Sequence, residues 1–226
     1  MRRDLPLPPW PRLRETWWVY ALGAALVALY CAGLFVRIRC TFLGHCGGPA
    51  RLFDLDALGG VPRLVTTALF VGTAALAWFA ARRCVGRRAL WWRAVAGVGV
   101  VLALAKFFSW HSLAKADSAV LTLLVSVVLA ALGLGALAVL GRRWAVSATR
   151  PVVTALALYA LAAIGLDAVT WLIAAVQAQP GALSAAAATF VEEFGEALAA
   201  LVLLVTVRWQ AAARRRTGPR SPEMAL

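Results

Sequence analysis

Six stretches of this 226-residue chain are apolar for long enough to cross a lipid bilayer as helices, which constrains the fold more than any other feature. A helix rises 1.5 Å per residue, so ~30 Å of hydrocarbon takes about 20 apolar residues. The stretches are 17–36, 64–81, 90–108, 119–140, 151–176 and 185–207. Their apolar residues are continuous rather than alternating, which argues against a strand barrel, and a helix satisfies its own backbone groups in lipid. The expected fold is therefore all-α, a polytopic bundle of six transmembrane helices over residues 17–207. A tail of residues 1–16 precedes it and a basic tail of residues 208–226 comes after it. With 62% hydrophobic and 15% charged residues, the chain departs from a soluble domain, which is ~25% charged. Disorder is excluded on the same ground, because so much apolar surface repays the entropy of ordering.

The placement of positive charge sets the orientation. Of 23 basic residues, 17 lie in the N-terminal segment, the second and fourth connections and the C-terminal tail; six lie on the opposite side. The positive-inside rule then puts both termini in the cytoplasm. The blocks Arg82-Arg83, Arg87-Arg88, Arg142-Arg143 and Arg214–Arg216 sit just outside apolar runs. There they meet anionic headgroups of the bilayer, so the net charge of +13 points to lipid rather than nucleic acid. Heavy use of Arg and Ala suggests a GC-rich bacterial genome, hence a bacterial plasma membrane. The first run could be a signal peptide, but it ends in Phe35-Val36-Arg37 without an A-x-A-like site, so a retained anchor is expected.

Ionisable groups inside spans need explaining, since each costs at least about 2.5–3.5 kcal/mol at the bilayer centre. Four acids fall within spans: Asp167 in the fifth, and Glu192, Glu193 and Glu196 in the sixth. The last three project at about 0°, 100° and 40° around a helix, so they share a face. In a low dielectric they would share protons or hold a cation. Gly195 and Ala199 beside them form a small-xxx-small step that admits a neighbouring helix. The third connection offers Lys106, His111, Lys115 and Asp117 at the same depth. His111 and Asp117 are candidates to complete a metal or proton site with the four acids, a divalent cation being the cofactor such a set would take. A structural reading stays open, in which Lys106 pairs with Asp167 and the glutamates merely favour the start of the last helix through its dipole.

Outside the membrane, Cys40 and Cys46 are candidates for a disulfide in an oxidising compartment, with a metal site that adds His45, or free thiols, as alternatives. Cys31 and Cys84 are expected to be unpaired. Residues 52–58 are expected to lie along the interface as a short amphipathic segment. Helix contacts are expected through Ala24, Ala28 and Ala32 of the first span. Phosphate-cradling, dinucleotide, H-E-x-x-H and G-x-S-x-G motifs are absent from the sequence.

Gly165-Leu166-Asp167, together with Val191-Glu192-Glu193-Phe194-Gly195-Glu196 further on, resembles a recurring arrangement in uncharacterised bacterial six-span integral membrane proteins. The likeness covers the last quarter of the chain. Those proteins often carry a His soon after the fifth-helix Asp, where this chain has Thr170 and Trp171. The resemblance implies an integral membrane protein and no activity. The sequence supports three functional readings. The outer acidic cluster binds a cation or relays protons; or the protein is a non-enzymatic scaffold or accessory subunit, joined to a protein partner or to its own copies; or it is a membrane-embedded hydrolase, for which no catalytic residue can be picked.

Overall fold

In a computed structural model, residues 13–43, 52–55, 57, 59–108, 119–176 and 182–213 are described. All regular structure among them is helical, with no strand. The helices are α1 (Leu13–Leu43), α2 (Val61–Arg82), α3 (Arg87–Phe108), α4 (Ala119–Arg143), α5 (Thr149–Ala160), α6 (Leu166–Val176) and α7 (Ala182–Ala213). A π-helical turn, Leu161–Gly165, joins α5 to α6 without a break, so these two form one continuous rod. Each apolar run of the sequence falls inside a helix. Five helical stretches are long and apolar enough to cross a membrane: Thr16–Cys40, Val61–Arg82, Arg87–Phe108, Val120–Arg143 and Thr149–Leu172.

The bundle is organised around α7, which packs against α1, α2, α5, the π turn and α6. Helices α2 and α3 share the most extensive contact of the bundle. A Cβ on Gly99 would lie 3.0 Å from the Ala74 Cβ and 3.1 Å from its Cα and backbone N, so the two backbones nearly touch. Large apolar side chains point outward along α4, including Leu121, Leu129, Leu132 and Val139. In water such a surface would be a liability; in lipid it is the solvated face.

The expected contacts through Ala24, Ala28 and Ala32 are not the ones made. All three are exposed, and α1 turns Leu26, Tyr30 and Gly33 inward instead. Small residues bring helices together only when the neighbour also narrows. Here α1 meets α7 through bulk, with the Tyr30 and Phe194 rings 5.6 Å apart. The segment after α1 also departs from a simple interfacial strip. Leu52 and Phe53 are exposed, but Leu55 is fully buried on α1, where a Cβ on Gly33 would come within 2.6 Å of it. Arg37 pairs with Asp54 at 3.3 Å beside this contact.

Two turns at one end of the bundle are held by backbone hydrogen bonds. Between α2 and α3, Gly86 takes φ +60°, and its carbonyl accepts from Ala89 and Leu90. Between α4 and α5, Val146 N–H donates to Gly141 O (2.9 Å) and Ala145 N–H to Arg142 O (3.1 Å). That pair of bonds is a Schellman cap, whose left-handed position is usually glycine. Here it is Ala145, at φ 51°.

Candidate functional site

Near the C-terminal end of α3, Lys106 turns inward between helices. Its Nζ lies 2.8 Å from Glu193 Oε2 and 2.8 Å from Glu196 Oε2. All three side chains are buried, with 11%, 9% and 10% of their surface exposed. The two glutamates are three residues apart on α7, so they stack on one flank, and a single ammonium bridges both. Lys106 thus meets two acids of α7 at once, a triad beyond the single pairing with Asp167 that the structural reading expected.

Four further polar side chains surround the triad, and nothing in the sequence singles them out for this role. Tyr159 of α5 is buried beside Glu196. Arg63, in the first turn of α2, is buried and within electrostatic reach of Glu193. Tyr30 of α1 lies 2.8 Å from Thr66 Oγ1 and donates to Pro62 O at 3.3 Å, while Thr66 donates to the same carbonyl at 3.2 Å. Pro62 opens α2, and its carbonyl thus gathers hydroxyls from two helices. Aromatic rings close the apolar side: Phe70 sits edge-on to Tyr159 at 4.9 Å, and Phe190 stacks on Phe194 at 5.4 Å. The signals available in sequence were weak. Arg63 reads as an end-of-span anchor, and only its place inside the helical turn after Pro62 sets it apart from the other arginines.

Asp167 is buried and engaged with its surroundings. Its inward position comes from the π turn. Eight α-helical residues separate Tyr159 from Asp167, which would leave them about 80° apart. A turn bonded i→i+5 takes up roughly one extra residue and rotates α6 back by about 100°. Both side chains therefore face the core. Gly195 fits the expected close approach, since a Cβ there would come within 2.6 Å of Leu166 Cδ1, and Ala199 is buried one turn on. Glu192 is half-buried.

His111, Asp117 and Cys46 lie outside the described residues, as do Lys115 and His45. Among the described residues, no three His, Cys, Asp or Glu side chains are grouped to hold a metal ion. Cys40 is disulfide-bonded, whereas Cys31 and Cys84 are in no disulfide, as expected.

Chemically, the triad is two carboxylates neutralised in part by one ammonium, with a guanidinium and two phenols at its edge. A family model described as a domain of unknown function, DUF8692, matches residues 24–211. The chain belongs to that family. The match takes in all seven helices at least in part and every residue of the triad and its polar surround. No curated protein and no solved structure matches the chain.

Proposed function

We propose that this DUF8692 member is a six-span protein of the bacterial plasma membrane, with both termini in the cytoplasm, whose triad exchanges a proton or a cation. The placement of basic residues supports the orientation, and α7 would be the sixth span, with its charge burden turned into the bundle. The observation that carries the functional reading is the convergence of Glu193 and Glu196 on Lys106 at 2.8 Å within apolar helices. Such a triad is a poor way to gain stability, because well-packed apolar residues do as well or better than buried ion pairs. Intramembrane ionisable groups that persist despite that cost mark ion pathways and proton relays. Lys106 cancels only one of the two carboxylate charges, and the other falls to Arg63 beside Glu193. A proton or a monovalent cation is the smallest species that would take the guanidinium's place.

The test is flux in proteoliposomes that contain a pH-sensitive dye, with a potassium diffusion potential as driving force. Wild type should acidify or alkalinise the lumen in response to the potential or to an added cation. Glu196→Gln should abolish the response while retaining helical content and gel-filtration behaviour. A silent wild type that also purifies free of stoichiometric metal would overturn the reading.

A scaffold role is the second reading, and one observation favours it. Arg63 and Lys106 together balance Glu193 and Glu196, so the four form a closed, neutral set that could serve only to fix α2 and α3 to α7. In that case Glu196→Gln would alter assembly or expression and no flux would exist to lose.

A further inference from the structure

At the end of the bundle opposite the triad, two turns bring arginines together. The α2–α3 turn leads into exposed Arg87 and Arg88, and the α4–α5 turn carries exposed Arg142, Arg143 and Arg150. A packed node joins the two. Trp91 Nε1 donates to Leu137 O at 3.0 Å, and a Cβ on Gly141 would lie 2.7 Å from that nitrogen while also overlapping Thr149. Arg87 and Arg88 stand one helical turn before Trp91, Arg142 directly follows Gly141, and Arg150 directly follows Thr149. Five exposed arginines are thus carried by the two turns and helix ends that flank this one contact, as a ring of basic positions.

They have no local counter-charge in the sequence. Between Arg82 and Arg150 the chain has a single acid, Asp117, which belongs to the α3–α4 connection outside the described residues. Like charges so placed repel one another, more strongly at the margin of a low-dielectric layer. The Schellman cap at Ala145 and the Gly86 turn hold them there nonetheless. The planar guanidinium of each arginine can hold phosphate oxygens in a bidentate fork. Beside the ring, apolar Leu90 of α3 and Val139 of α4 are exposed, and Trp144 is half-buried at the same level.

We propose that this ring is a binding site for a membrane phospholipid whose headgroup carries two phosphates, of the cardiolipin class, with its acyl chains along Leu90 and Val139. The pairing of a cationic ring with an adjoining apolar face fits an amphiphile better than a soluble acidic peptide, and basic pockets between helix ends are where such lipids dock. Lipid capture here is independent of ion exchange at the triad.

The experiment is thermal unfolding of the purified full chain in detergent, with tetraoleoyl cardiolipin, dioleoylphosphatidylglycerol or dioleoylphosphatidylcholine titrated into the micelles. Cardiolipin should raise the melting temperature saturably, and phosphatidylcholine should not. The variant R87K/R88K/R142K/R143K keeps the charge that orients insertion but loses the forked geometry; its half-saturation by cardiolipin should rise roughly 10-fold. Arg39→Lys, at the other end of the bundle, should titrate like wild type. An equal response to phosphatidylcholine, or an unchanged half-saturation in the four-lysine variant, would overturn the proposal. Displacement of cardiolipin by a soluble polyglutamate would overturn it in favour of an acidic protein partner.

Discussion

At the scale of single residues, two positions bear consequences out of proportion to their size. Ala145 holds a left-handed φ of 51° that a side chain tolerates poorly. That conformation costs an L-residue roughly 1–2 kcal/mol, against the roughly 0.5–1 kcal/mol of extra backbone entropy a glycine loses, so Ala145→Gly should raise stability by about 0.5–1 kcal/mol. Denaturant titration in mixed micelles measures this, and Ala145→Val should move the other way. Lys106 is the reverse case. Lys106→Ala strands Glu193 and Glu196 without their ammonium, and removing one partner from a buried ion pair costs about 3–5 kcal/mol. Adding Glu193→Gln and Glu196→Gln to Lys106→Ala should restore much of the folded yield, read as the monodisperse fraction on gel filtration. The acids of this site were visible in the sequence because any charge inside an apolar run stands out. Tyr30, Thr66 and Tyr159 were not, since a lone hydroxyl in a span costs little and signals nothing until a partner from another helix is known.

At the scale of elements, close approach differs in kind between helix pairs. A methyl on Gly195 would press on Leu166 Cδ1, the tip of a flexible side chain that can rotate away. A methyl on Gly99 would press on the Ala74 backbone, which cannot move without shifting α2. Gly99→Ala should therefore lower the melting temperature distinctly more than Gly195→Ala, and Leu166→Ala should relieve Gly195→Ala but leave Gly99→Ala unrelieved. The sequence pointed correctly to Gly195 as a small contact residue, yet the same rule misdirected α1. Periodic alanines there face outward because helix association in lipid depends on both surfaces, and only one of them can be read from a single helix. Helix extents were easier. The apolar runs mark the hydrocarbon crossing, while α1 and α7 continue for several residues beyond them, where polar ends need no apolar signal.

At the scale of the whole molecule, the proposed orientation makes a plain prediction. A phosphatase fused after residue 147 should be inactive and one fused after residue 178 active, because alkaline phosphatase matures only outside the cytoplasm. The opposite pattern would invert the bundle and move the arginine ring to the outer leaflet. Six apolar runs and their flanking charges carry this much without coordinates. They leave open which helix lies at the centre, because that depends on the polar contacts α7 makes with its neighbours. The π turn at Leu161–Gly165 has a further consequence for comparing family members. A helix that gains a wide turn has in effect gained one letter of sequence. Members of the family whose fifth rod is α-helical throughout should show a one-residue gap between the counterparts of Tyr159 and Asp167. An alignment that forces those columns together without the gap would misassign the aspartate, and with it any inheritance of function along the lineage.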